Sequence, residues 1–143
     1  VLLNGEDVSG LIRTEAVGNM ASASSGYGAV REKLVALQKE LASRENVVMD
    51  GRDIGTCVLP HADVKIYLTA SSQVRAERRY KELLEKGQQA DLREIEADII
   101  KRDYQDMHRE NSPLKQAEDA VLVDSSDMTL DQVVARFLEI IGR

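Results

Sequence analysis

Val64-Lys65-Ile66-Tyr67-Leu68-Thr69-Ala70-Ser71-Ser72 decides how the rest of the chain is read. The run 64–68 suits a short strand of a parallel sheet, and Thr69 or Ser71 can cap a helix directly after it. That helix, about 72–86, is rich in arginine and stops at Gly87. The same pattern recurs on either side. Upstream, Asn46-Val47-Val48-Met49-Asp50 reads as a second short buried strand, leading into Gly51-Arg52-Asp53-Ile54-Gly55-Thr56. Downstream, Ala120-Val121-Leu122-Val123-Asp124 reads as a third. Thr129-Leu130-Asp131-Gln132 resembles a capping box opening a last helix, whose stripe is Val133, Val134, Phe137, Ile140 and Ile141. Another helix, about 91–110, ends before Pro113. Apolar strands separated by helices predict an α/β fold, a parallel sheet covered by helices.

Before the first of these strands the pattern is different. Val1-Leu2-Leu3 enters an Asn4-Gly5 pair, a hairpin-turn signal. The first half of that hairpin is expected to precede Val1, so the chain reads as a piece of a longer protein. From Thr14 the pattern is helical through Ala16, Val17, Met20 and Ala21, and breaks at Ser24-Ser25-Gly26. A second helix runs from about Gly28 to Ala42, with Val30, Leu34, Leu37 and Leu41 as its stripe.

Composition narrows the function classes. At 143 residues the chain fits one domain with a core of its own. No apolar run is long enough to cross a bilayer, so no membrane partner is expected. The single cysteine, Cys57, has no internal disulfide partner, which fits a reducing cytoplasm. A net charge of -6, with four Tyr, one Phe and no Trp, argues against nucleic-acid binding. A small anionic ligand remains open, since a few converging arginines serve it locally.

In open parallel sheets, ligands bind beyond the carboxyl ends of the strands. After the strand expected at 46–50 stands Asp50-Gly51-Arg52-Asp53. A guanidinium there can grip a phosphate, while a carboxylate accepts from a base amine or holds water around a metal. The same four residues also suit a turn closed by its own Asp–Arg salt bridge. In the helix at 91–110 the stripe Leu92, Ile95, Ile99 continues as Arg102, Asp106, Arg109. This is either an exposed ion pair where the helix leaves the core or a helix end aiming two guanidiniums into a cleft. Arg75, Arg78 and Arg79 could neutralise a transferring phosphoryl group, although with Glu77, Glu82 and Glu85 they equally describe a solvated helix. His61 and His108 lack metal-ligand spacing, and no protein metal ligand is expected.

Taken together, these segments resemble bacterial cytidylate kinases, within the nucleoside monophosphate kinases of the P-loop NTPase class. The resemblance rests on Glu6-Asp7-Val8-Ser9-Gly10 with Ile12-Arg13, Val30-Arg31-Glu32, Asp50-Gly51-Arg52-Asp53 with Gly55-Thr56, Val64 to Leu68, Ala70-Ser71-Ser72, Arg75-Ala76 with Arg78-Arg79, and Arg102-Asp103 with Asp106 and Arg109. These occur in the family's order from end to end, and distinguish it from adenylate and guanylate kinases. The resemblance implies a three-layer, doubly wound parallel sheet. It implies transfer of the γ-phosphoryl group of ATP to CMP or dCMP with Mg²⁺ carried by ATP, in the cytoplasm, by a full-length monomer. Ser22, Arg31 and Asp53 match positions contacting cytosine, whose amino group uracil lacks. Arg52 and Arg109 match phosphate-gripping arginines, and Arg102 and Asp106 match residues near the sugar and the acceptor end. Asp50 falls near the reacting phosphates and metal. Arg79, in the lid region, is the candidate to reach the transferring group, so that Arg79, Arg102 and Asp50 form the catalytic set. The parts implied are a CMP-binding insertion with its return helix (1–44), core strands with the DGRD loop (45–74), a lid with the arginine-bearing helix (75–111), and a core strand with the C-terminal helix (112–143).

One departure from the family is large. No G-x-x-x-x-G-K-[ST] run occurs in residues 1–143. The resemblance puts the ATP loop upstream of Val1, on a strand between those expected at 46–50 and 64–68. Without it the sheet is incomplete, and two open strand edges are expected to leave the chain poorly stable, rearranged or self-associating. The alternatives are a kinase for another monophosphate, against which Asp53, Ser22 and Arg31 argue, and a non-catalytic module that binds a nucleotide or a protein partner.

Overall fold

The computed structural model describes residues 1–142, with all of their side chains except those of Glu15, Asn19 and Ser22. The chain forms two compact units, Val1–Val48 and Met49–Arg143.

The first unit opens on a hairpin. Strand β1, Leu2–Leu3, pairs antiparallel with β2, Glu6–Asp7, with Leu2 opposite Asp7 and Leu3 opposite Glu6. Asn4 and Gly5 take φ of 52° and 88°, the successive left-handed residues of a tight two-residue turn. Both arms thus lie within residues 1–8, closed by Val8 N–H donating to the Val1 carbonyl at 2.9 Å. The expectation that one arm precedes Val1 is corrected. Helix α1, Glu15–Ser24, starts at Thr14, whose hydroxyl accepts from Val17 N–H at 3.4 Å. Helix α2, Gly28–Arg44, follows, and none of its residues is buried. Its stripe of Val30, Leu34, Leu37 and Leu41 is between 41% and 52% exposed. The periodicity therefore identified the helix, and the stripe it marks lies at the surface.

The second unit holds the parallel pair. Strand β3, Ile66–Thr69, runs beside β4, Val121–Asp124, in register Ile66 with Val121 through Thr69 with Asp124. Between them in sequence come α3, Ser72–Glu85, and α4, Leu92–His108. Ser71 caps α3 by accepting from Val74 N–H, and Gly87 ends the turn after it with φ 71°. Asp91 caps α4 by accepting from Arg93 and Glu94 N–H. The two helices are joined by a fork between Arg75 and Asp103 and by Ser72 Oγ donating to Glu96. Helix α5, Leu130–Ile141, begins in a complete capping box of Thr129 and Gln132. Val58, Ala70, Ala76, Val123 and Ile140 are this unit's buried apolar residues.

The strand expected at 46–50 does not form. These residues pair with no strand, and Val48 is fully exposed. Among the described residues the parallel sheet has two strands, not three. A strand's amides and carbonyls need a neighbour, and β3 and β4 take each other. Apolar character alone supplies no ladder partner for 46–50. In its place the backbone after Asp53 closes a wide turn over Ile54–Val58, with Leu59 N–H donating five residues back to the Ile54 carbonyl at 2.7 Å. Such widened turns are rare and often lie beside functional sites.

Candidate functional site

The loop before the wide turn and the end of α4 meet in the second unit. Asp53 ends in the turn that tethers it, since its carbonyl accepts from Thr56, Cys57 and Val58 N–H at 3.3, 2.8 and 3.3 Å. Gly51 makes room for that turn, because a Cβ there would sit 2.9 Å from Ile54 Cγ1. Asp53 is 8% exposed and Asp106 is 9% exposed, both far below the norm for aspartate. Buried carboxylates require partners, and arginines supply them. Arg52 Nε donates to Asp106 Oδ2 at 2.9 Å. Arg109 sets one terminal nitrogen 3.7 Å from Asp53 Oδ1 and the other 3.9 Å from Asp106 Oδ1. Arg52, Asp53, Asp106 and Arg109 thus form a formally neutral cluster of two guanidiniums and two carboxylates.

Arg109 is held differently from Arg52. Helix α4 ends at His108, and Arg109 is already extended, so the expected helix through 110 stops short. Its Nε donates to the Ser112 carbonyl at 2.7 Å. The terminal nitrogen facing Asp53 is buried and has no hydrogen-bond partner, because 3.7 Å exceeds hydrogen-bond reach. A buried donor left in this way costs about 1–3 kcal/mol, and an incoming oxyanion would remove that cost.

Of the other predicted residues in this unit, none takes part in these bonds. Asp50 and Arg102 are exposed and make no hydrogen bond or ion pair with a described residue. Arg79 is about half exposed and pairs with Glu82 one turn along α3 at 2.8 Å. Arg75 and Arg78 are committed to structure. Arg75 forks onto Asp103, which raises its pKa further, and donates to the Ala70 carbonyl. Arg78 donates to the carbonyls of Ser125 and Met128 after β4. Arg31 and Ser22 belong to the first unit, and the Ser22 side chain lies outside the described ones. A groove along α5, lined by Asp124, Asp127, Gln132, Arg136 and Glu139 among others, contains none of the predicted residues. Sequence reasoning missed Ser112, which acts through its carbonyl and so leaves no side-chain signal. Only the Ser112-Pro113 pair hinted at a special turn there.

Among the described residues no group of three His, Cys, Asp or Glu side chains could hold a metal ion. No described helix is long and apolar enough to cross a membrane.

A parallel strand pair, a glycine turn carrying an acid and an arginine, and a helix end bearing an arginine with an open donor define a mixed α/β protein with a cluster of two arginines and two buried carboxylates. The cytidylate kinase family model matches residues 1–143. The cytidylate kinase of Lactobacillus johnsonii is 52% identical over 143 residues, covering 100% of this chain and 62% of that protein. That of Carboxydothermus hydrogenoformans is 50% identical over 143 residues, covering 100% and 64%. A cytidylate kinase of Streptococcus pneumoniae is 51% identical over 136 residues, covering 95% and 61%. This chain belongs to the cytidylate kinase family. It spans less than two thirds of the length of these curated relatives.

Proposed function

We propose that the chain supplies the acceptor side of a cytidylate kinase, holding CMP or dCMP for the γ-phosphoryl group of ATP. The observation that carries this reading is Arg109, whose Nε is occupied by Ser112 while both terminal nitrogens stand beyond hydrogen-bond reach of the carboxylates they face. That fork suits two oxygens of a phosphate. Arg52 adds a second guanidinium beside it, and Asp53 is the carboxylate assigned to the amino group of cytosine. Ser22 and Arg31 are assigned to the base on the family resemblance alone. Arg102 and Asp106 are assigned to the sugar and acceptor end.

Phosphoryl transfer needs little covalent help from protein groups, and its catalysis is mostly positioning and neutralisation of spreading charge. Arg79 and Arg102 are assigned to that neutralisation. What supports this is that, among the described residues, Arg79 is tied only by one exposed helical pair, worth about a few tenths of a kcal/mol, and Arg102 has no bonded partner. Arg75 and Arg78 would have to break several bonds to move. Mg²⁺ carried by ATP would supply charge neutralisation at the transferring group. Of Asp50, Asp53 and Asp106, only Asp50 is without a bond to another described residue and is suited to face that ion.

Residues 1–143 contain no G-x-x-x-x-G-K-[ST] run, so the proposal gives them no ATP-cradling role. In this reading the CMP-binding insertion is 1–44, the core strands and DGRD loop 45–74, the lid 75–111 and the closing strand and helix 112–143. The fold is that of a doubly wound P-loop kinase, the setting is the cytoplasm, and open strand edges favour self-association. Calorimetric titration with CMP and UMP tests this reading. CMP binding well above UMP supports the acceptor site. Equal or absent binding of both nucleotides contradicts the proposal.

A further inference from the structure

Ser112 has φ 51°, and it precedes Pro113. Left-handed backbone is uncommon for a residue other than glycine, and the position before a proline is itself restricted toward extended conformations. Sparsely populated backbone persists only where its surroundings enforce it, and it clusters at functional sites. Here two bonds enforce it, and both lead to the arginine–carboxylate cluster. The Ser112 carbonyl accepts from Arg109 Nε at 2.7 Å. Leu114 N–H donates to the Asp106 carbonyl at 2.8 Å, bringing the chain back onto the end of α4. Ser112, Pro113 and Leu114 are half-buried, so water does not readily replace either bond.

A free guanidinium beside two buried carboxylates would close on them, forming two short charge-assisted bonds. Arg109 stops at 3.7 and 3.9 Å instead. We infer that the turn from Arg109 to Leu114 is a positioning device: the Ser112 carbonyl, aimed by its left-handed backbone, holds Arg109 Nε and keeps the two terminal nitrogens off Asp53 and Asp106. Those nitrogens are then available to a phosphate. Ser112 is a positioning residue, and it acts through its main chain. The inference rests on the assignment of Arg109 to the acceptor phosphate.

The test compares the full 143-residue chain with Ser112→Val, Ser112→Gly and Ser112→Asn, titrating each with CMP and with cytidine, which lacks the phosphate. A β-branched residue at this φ is an outlier, glycine accepts it without holding it, and asparagine tolerates it. CMP affinity is expected to fall roughly tenfold in Ser112→Val and about threefold in Ser112→Gly, with cytidine affinity unchanged and Ser112→Asn restoring CMP. The Arg109 Nε proton, followed by NMR, is expected to exchange slowly in the wild type and Ser112→Asn and quickly in Ser112→Val. Should Ser112→Val not fold, the contrast between Ser112→Gly and Ser112→Asn carries the same comparison. A wild type that prefers CMP to cytidine, with variants that prefer it equally, overturns the positioning role and leaves the acceptor site standing. A wild type that does not distinguish CMP from cytidine overturns both.

Discussion

Arg52 and Asp106, fifty-four residues apart in the chain, are joined by a hydrogen bond of 2.9 Å from Nε to Oδ2. The bond links the loop after Met49 to the last turn of α4, and it gives the buried Asp106 a cationic partner. Arg52 is itself about half exposed, which weakens the pair below its buried worth. Arg52→Met is therefore expected to destabilise the chain by about 1 kcal/mol in urea unfolding, through the carboxylate it leaves behind.

Arg109→Met removes the open donor fork. CMP affinity is expected to fall by roughly tenfold to a hundredfold, the worth of a charge-assisted pair of bonds. Cytidine affinity should be unaffected, as calorimetry with both ligands would report.

Asp53→Asn replaces a pure acceptor by a group that can also donate. The preference for CMP over UMP is expected to shrink by about tenfold or more, since an amide can turn its donor toward the uracil oxygen. Competition titrations of the two nucleotides check this. An unchanged ratio would remove Asp53 from base recognition.

Lys65 and Asp119 give a pH signature remote from the site. Lys65 is nearly buried, and its Nζ donates to both Asp119 oxygens and to the Pro60 carbonyl. The Lys65 hydrogen bonds hold the Asp119 carboxyl below its ordinary 3.8. A carboxylate depressed in the folded state contributes stability that is present above 3.8 and is lost as pH falls through the folded value. Asp119→Asn is expected to flatten the acid limb of urea midpoint against pH below that value, and to leave its shape at neutral pH unchanged.

How much could be read in advance follows from how far each feature reaches along the chain. The cap at Ser71 (one of two candidates with Thr69), the Thr129–Gln132 box and the Asn4-Gly5 turn were legible because donor and acceptor lie within four residues of each other. The segment 46–50 misled because a strand is defined by its neighbour, and an apolar run reports burial without reporting pairing. The α2 stripe was likewise a true helix signal that could not say whether anything covers it. Arg75 and Arg78 were indistinguishable from Arg79 by spacing. Their partners lie 28, 47 and 50 residues away, and only the folded chain separates structural arginines from uncommitted ones. The cluster itself was legible through the family resemblance, and the helical stripe alone left Arg102 and Asp106 on one face with opposite fates.

The most direct measurement is a backbone and arginine side-chain NMR spectrum of the 143-residue chain titrated with CMP. The largest shifts are expected at Arg52, Asp53, Asp106, Arg109 and Ser112, with the Arg109 terminal protons slowing as a phosphate takes the open donor. Shifts confined to the groove along α5, or no shifts at CMP concentrations that saturate a kinase acceptor site, would contradict the account.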